Sequence, residues 1–245
     1  MSLLRLIARL DLKGGNVVKG VQMEGLRVIG KPADLARCYA AEADELLYID
    51  TVASLYGRNQ LTALLEETCE DVFIPVTVAG GIASREDVKR LLNAGADKVA
   101  INTAAIKTPG LIADCAGFYG SQAVVVSIEA KRVNGGWEAY TENGRQRTGK
   151  DAVAWAREAV RLGAGELLLT SVDRDGTRRG FDLALIEAVG RDCPVPLTVC
   201  GGMGGLADAR SALAAGADAL AFASVLHYGK MTIQEVREGL TRAAV

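Results

Sequence analysis

The sequence is poorest in histidine: His227 is the only one among 245 residues. A metal site built from three histidines of one chain is thereby excluded, and Ser-His-Asp chemistry would have to use that single residue. The five cysteines, Cys38, Cys69, Cys115, Cys193 and Cys200, stand at scattered positions and form no CxxC pair. An odd, scattered set reads as reduced thiols of a cytoplasmic protein and argues against a disulfide framework or a structural zinc; no metal and no cofactor are expected. No apolar run approaches the ~18 residues of a membrane span. The opening stretch, Met1 to Leu10, carries Arg5 and Arg9 inside its apolar run and shows no small-residue cleavage site, so it reads as a strand and not as a signal peptide. Aromatic residues make up only 5% and the net charge is −2, which leaves neither a stacking platform nor an electrostatic case for nucleic acid.

What is present is ordinary for a folded domain: 49% hydrophobic and 24% charged residues, enough to bury a sizeable core. Short apolar runs recur at Leu3 to Leu10, Leu46 to Ile49, Val76 to Val78, Val99 to Ile101, Ala123 to Ile128, Leu167 to Leu169, Leu197 to Val199 and Ala219 to Phe222. Near-continuous runs of this kind suit parallel strands covered on both faces. Helical patterns fill the gaps: Ala33 to Ala43 after Pro32, a stretch opened by Ser84 and stopped at Gly95, Asp151 to Leu162 stopped at Gly163, Leu183 to Val189 capped by Asp182, and Leu206 to Ala215 stopped at Gly216. The rhythm predicts a (β/α)8 TIM barrel. The rival doubly wound sheet would carry GxGxxG after its first strand, where Asp11-Leu-Lys-Gly-Gly-Asn16 stands instead. The chain also repeats itself at a constant offset of 121 residues: 76–82 matches 197–203, 94–97 matches 215–218, and 43–47 aligns with 164–168. A single domain over 1–245, made of two similar half-barrels (1–121 and 122–245), is expected.

In such a barrel the site is built from the C-terminal ends of the strands and the loops after them. Asp11 ends the first run and Glu129 the fifth, in similar surroundings, Leu10-Asp11-Leu12-Lys13 and Ile128-Glu129-Ala130-Lys131. Two carboxylates on opposite sides of one mouth suit general acid and base work on a substrate between them; either one alone would more simply cap a loop or pair with Lys13 or Lys131. Gly80-Gly81 and Gly201-Gly202 end strands at repeat-related positions, and Asn102-Thr103 and Ala223-Ser224 follow the fourth and eighth runs. Such turns and helix starts offer free N–H groups to an anion, so the repeat predicts two phosphate cradles, whereas one Gly-Gly by itself would mean only a tight turn. Asp173-Arg-Asp-Gly-Thr177 follows the sixth run; its acids suit a ribose hydroxyl or a cationic intermediate, or a plain Asp-Gly turn. Lys19 lies in a segment reaching to Pro32, long enough for a lid, where a lone lysine is commonly solvated. Arg5, Glu45, Lys98 and Glu166 stand at the N-terminal ends of strands and would ring the barrel bottom as two acids with two bases, which physics alone reads as a stabilising cluster. Arg9 has the parity of Arg5 and Asp11, points inward, and needs an acid partner in Glu129 or Asp11. His227 is expected in a structural or rim position.

Several segments carry a more specific resemblance: Leu10-Asp-Leu-Lys, Val17-Val-Lys-Gly20, residues 95–105, Gly120-Ser-Gln-Ala-Val-Val-Val126, Leu169-Thr-Ser-Val-Asp-Arg-Asp-Gly-Thr177 and Ala223-Ser-Val-Leu-His227. Through them the chain resembles the cyclase subunit of imidazole glycerol phosphate synthase along nearly its whole length. The resemblance implies a lyase of histidine biosynthesis that takes a bis-phosphorylated aminoimidazole carboxamide ribulosyl nucleotide and ammonia, closes an imidazole ring and releases a second aminoimidazole ribonucleotide. It implies a glutaminase subunit docked at the barrel bottom as a heterodimer, with ammonia rising through the interior. By position, Asp11 matches the first catalytic aspartate, Glu129 the second acid, and Lys19 a mobile-loop lysine. Arg5, Glu45, Lys98 and Glu166 match a charged gate at the ammonia entrance, and Asp97 a docking residue. Gly81, Asn102, Thr103, Gly201, Gly202, Ala223 and Ser224 match the phosphate sites, and Asp50 and Asp175-Gly176 the mouth.

Three residues depart from that pattern. Glu129 stands where aspartate is usual, Arg9 where a small neutral residue is usual, and Cys200 where serine is common. An added methylene moves a carboxyl on a scale that can cost on the order of a hundredfold in rate, and Arg9 would narrow the path or pull Glu129 inward. The departures leave an alternative in which a paralogous barrel partners a glutaminase to deliver ammonia for surface-sugar amidation. A single-subunit isomerase on the same half-barrel plan is a third option, and it would need no gate.

Overall fold

The computed structural model describes residues 4–53 and 61–242, so Leu3 of the opening run lies outside the described residues. Its strands in chain order are β1 (Arg5–Lys13), β2 (Asn16–Val21), β3 (Glu24–Gly30), β4 (Glu45–Asp50), β5 (Val76–Ala79) and β6 (Lys98–Ile101). They continue with β7 (Val124–Val133), β8 (Gly136–Thr141), β9 (Gln146–Asp151), β10 (Glu166–Ser171), β11 (Leu197–Cys200) and β12 (Ala219–Phe222). Eight of them, β1, β4, β5, β6, β7, β10, β11 and β12, pair in parallel, and the ring closes where Arg5 to Ala8 of β1 lie beside Ala219 to Phe222 of β12. This is the (β/α)8 barrel that the eight apolar runs require, because a closed parallel sheet buries both faces of every strand.

Alternation along the strands sorts the two faces. Leu6, Leu10, Leu46, Val78, Val99 and Val126 face outward into the main core, where they meet Val88, Leu91, Ile112, Trp155 and Ile186 of the surrounding helices. Ile7, Leu47, Ala79, Ala100, Val125, Leu168, Cys200, Ala219 and Ala221 face inward as a second, smaller cluster. The helices begin where the sequence signals them. Ser84 and Asp87 form a reciprocal capping box on helix Arg85–Asn93, and the side chains of Asp151 and Asp182 cap helices Ala152–Arg161 and Leu183–Gly190. Among the described residues no helix is long and apolar enough to cross a membrane.

The structure differs from the sequence expectation after the first barrel strand. The segment from Gly14 to Pro32 is not an open loop. It is a β-ribbon: β1 turns into antiparallel β2 through Gly14 and Gly15, with Lys13 opposite Asn16, and β3 pairs back on β2. Both glycines have positive φ, 56° and 72°, the backbone that a two-residue hairpin of right-handed twist demands. A matching ribbon, β8 and β9, follows β7 through Asn134 and Gly135. Two ribbons therefore fold over the barrel mouth, one from each half of the chain.

Candidate active site

At the bottom, the four charges found at strand starts form a closed ring. Arg5 bridges Glu45 at 2.9 Å and Glu166 at 3.0 Å, and Lys98 bridges the same acids at 2.8 and 3.0 Å. Two threonines complete it: the Thr77 hydroxyl donates to Glu45 at 2.5 Å and the Thr198 hydroxyl to Glu166 at 2.6 Å. Thr77 and Thr198 are themselves 121 residues apart, so the repeat already held the signal for them. Each acid has two cations and a hydroxyl, which offset the burial of the carboxyl groups and fix their orientation.

At the mouth a second closed ring lies between the barrel and the first ribbon. Arg9 Nε donates to Asp11 at 2.7 Å and its Nη1 to Asp175 at 3.2 Å. Lys19 Nζ donates to the same two acids, at 2.8 Å each. Arg9, Asp11, Lys19 and Asp175 are 2 to 3% exposed, so two cations and two anions balance inside a dry site. Lys19, expected on a solvated mobile loop, is instead carried by β2 and buried. The ribbon is anchored across the mouth by the Gln22 N–H, which donates to the Asp175 carbonyl at 2.8 Å. Arg9 points inward as its parity requires. It bonds Asp11, as one of the two expected partners, and Asp175, which sequence reasoning did not offer; Glu129 is hydrogen-bonded elsewhere.

Glu129 ends its strand on the other side. Its carboxylate accepts the Gly144 N–H at 2.6 Å, from the turn between β8 and β9. Each candidate carboxylate is thus held by the ribbon of its own half, but by opposite means. Burial pushes the Asp11 carboxyl up, and Arg9 and Lys19 more than reverse this, holding it far below the usual carboxylate range. Burial pushes the Glu129 carboxyl up to about 7, against only weak pulls from Gly144, Arg9 and Asn102. Two carboxyls whose surroundings drive their proton affinities apart are the arrangement that acid and base chemistry at neutral pH needs.

Two cavities flank this pair. One, of about 250 Å³, is lined by Asp50, Gly81, Asn102, Thr103 and Glu129. Asp50 accepts the Val52 and Ala53 N–H groups at 3.0 and 2.9 Å, and burial raises its carboxyl. The other, of only about 20 Å³, is lined by Arg9, Lys19, Asp175, Gly176, Gly201, Gly202, Ala223 and Ser224, with Arg178 at its edge. The ten mouth and phosphate positions named from sequence therefore fall into two groups, one on each side of Asp11 and Glu129. The second side is nearly filled because Arg9 and Lys19 occupy it. Sequence reasoning missed Asn143, which lines the larger cavity with a buried, unpartnered side-chain nitrogen. Its φ of 59° next to Gly144 marks the turn, and the Asn-Gly pair was the available signal.

The remaining positions are peripheral. Asp97 is exposed at the bottom and accepts the Val76 N–H at 2.8 Å; Asp218 does the same for Leu197, one repeat later. His227 is partly buried, hydrogen-bonded through Nδ1 to the Tyr39 hydroxyl at 2.8 Å, and burial lowers it to about 4, so it is neutral. Cys200 faces the barrel interior beside Arg9 and does not reach a cradle.

With this geometry in place, comparison with known proteins is specific. The sequence pattern described as histidine biosynthesis protein matches residues 5–232. The chain is 60% identical over 208 residues to imidazole glycerol phosphate synthase subunit HisF of Legionella pneumophila, covering 84% of this chain and 98% of that protein. It is 52% identical over 235 residues to the protein of the same name from Myxococcus xanthus, covering 95% and 93% of the two chains.

Proposed function

The chain belongs to the histidine biosynthesis protein family, as a cyclase subunit of imidazole glycerol phosphate synthase, a lyase-type enzyme, and we propose that its barrel mouth does the chemistry through Asp11 and Glu129. The observation that carries this is the pairing of two oppositely tuned carboxylates between two cradles one repeat apart. One phosphate of the ribulosyl nucleotide lies against Gly81, Asn102 and Thr103, the other against Gly201, Gly202, Ala223 and Ser224. Asp50, Asp175 and Gly176 border the sugar. Ammonia condenses with the ribulosyl carbonyl, losing water, and its nitrogen then closes the imidazole ring as the C–N bond to the departing aminoimidazole carboxamide ribonucleotide breaks; these steps need protons delivered and removed at the centre of the mouth. Glu129 moves them, while Asp11, held by Lys19, stabilises positive charge on the reacting nitrogen.

The relatives are named as subunits, so the chain works within a multi-subunit enzyme. We infer that the partner is a glutaminase in a heterodimer, seated on the face that carries Asp97. Ammonia then enters between Arg5, Glu45, Lys98 and Glu166. We further infer one domain of two half-barrels, 1–121 and 122–245, working in the cytoplasm.

The test is turnover of the ribulosyl bis-phosphate by the purified chain with excess ammonium at alkaline pH, followed by loss of substrate absorbance. Free ammonia bypasses the partner. Turnover that falls on the order of a hundredfold or more in both Asp11→Asn and Glu129→Gln is expected; unchanged turnover in either overturns the site. Binding without turnover would favour the sugar-amidation alternative, which Arg9 motivates because it fills the second cradle and occupies Asp11.

A further inference from the structure

We propose that Arg9 is a positioning residue that divides the labour of the two carboxylates: with Lys19 it locks Asp11 onto Asp175 as a fixed negative charge, and so leaves Glu129 alone to give and take protons. The proposal rests on the assignment of Asp11 and Glu129 as the carboxylates that face the substrate.

The geometry carries it. Arg9 spans the barrel from β1 to the turn after β10, with one nitrogen on Asp11 and another on Asp175. Lys19 closes the ring from the opposite side, so both oxygens of each acid are taken. A carboxylate with both oxygens in charge-assisted bonds is a poor base, because accepting a proton breaks a bond and leaves a buried cation short of a partner. Glu129 has no such clamp; its donors are neutral, the Gly144 N–H and the Asn102 amide.

The surroundings add no competing charge. Asp11 is faced by Arg9 and Lys19, by Asp175 behind them, and by the Cys200 thiol and the His227 imidazole. Burial raises the thiol and lowers the imidazole, so both are neutral near pH 7. Glu129 is faced by Arg9, Asp175 and Asn102; the Gly144 N–H favours its ionised form most, and Arg9 is the cation that favours it. Removing Arg9 should therefore act on both carboxyls at once. Asp11 and Asp175 are left sharing one ammonium, and Glu129 loses the cation that favours its charge.

The experiment is an infrared titration of the buried carboxyl groups, read beside the pH dependence of kcat at fixed free ammonia, in wild type, Arg9→Ala and Arg9→Lys. In wild type one buried carboxyl should titrate between about pH 5 and about pH 9. It should vanish in Glu129→Gln and persist in Asp11→Asn. In Arg9→Ala a second carboxyl should enter that range, and the ionisation governing kcat should move up by about one pH unit. Arg9→Lys, which keeps a cation, should suppress both changes. A purely structural Arg9 would lower activity without moving either titration, and that result overturns the proposal. So does a wild type in which Asp11 titrates alongside Glu129, an observation that needs no Arg9 variant to fold. The infrared titration also stands without turnover: an inactive wild type with Asp11 locked and Glu129 titrating would overturn the site assignment and leave the division between the carboxyls intact.

Discussion

Glu129→Gln should lower activity and raise stability, and the size of the gain follows from the site. Burial moves this carboxyl from 4.5 to about 7. At about 1.4 kcal/mol per tenfold change in proton affinity, folding the ionised form costs about 3 kcal/mol. The sign is fixed by the direction of the shift. A raised carboxyl holds its proton more tightly when folded, so there is no penalty below 4.5, and wild-type stability is lost as the pH climbs to about 7. Glutamine keeps an oxygen for the Gly144 N–H and carries no charge, so the variant escapes this loss. Denaturant unfolding of the two proteins across the pH range should give a difference near zero in acid. It should rise to as much as about 3 kcal/mol in favour of the variant by about pH 8. Turnover of the variant should fall on the order of a hundred- to ten-thousandfold. A stability difference that stays flat with pH would refute the reasoning, because it would mean that the folded site does not penalise the Glu129 charge.

Lys98→Met removes two of the four ion pairs of the lower ring and leaves Glu45 and Glu166 to Arg5. Breaking such a buried pair costs up to about 3–5 kcal/mol, less here because the ring is partly solvated, and adding Glu166→Gln should recover part of the loss in a thermal double-mutant cycle. Gly202→Ala places a methyl against the Gly180 carbonyl at a φ of 112°; the strain of about 1–3 kcal/mol should displace the turn and weaken substrate binding, read as a raised KM. Asp97→Asn keeps an acceptor for the Val76 N–H while removing a charge from the exposed bottom face. Partner affinity should fall about tenfold by calorimetry, with the melting temperature unchanged.

The sequence by itself determined the barrel. Eight apolar runs with helical patterns between them admit few other arrangements, and the segments repeated at a constant offset of 121 residues are visible without any coordinates. Candidate residues were legible wherever function depends on position along a strand. Asp11 and Glu129 end their runs, and Arg5, Glu45, Lys98 and Glu166 begin theirs; closing the barrel delivers them to its two ends. The ribbons were less legible, because Lys13-Gly-Gly-Asn16 and Val133-Asn-Gly-Gly136 signal tight turns but not which strand they fold back upon. Only the tertiary structure decided the charge partners. Arg9 and Asp175 are 166 residues apart, and Lys19 and Asp175 are 156 apart. Strand alternation can say that Arg9 points inward, but which acid it meets is set by how far across the closed barrel its side chain reaches. The difference between Asp11 and Glu129 is tertiary for the same reason: two acids in matched sequence contexts differ because one ribbon brings an ammonium and the other a backbone N–H.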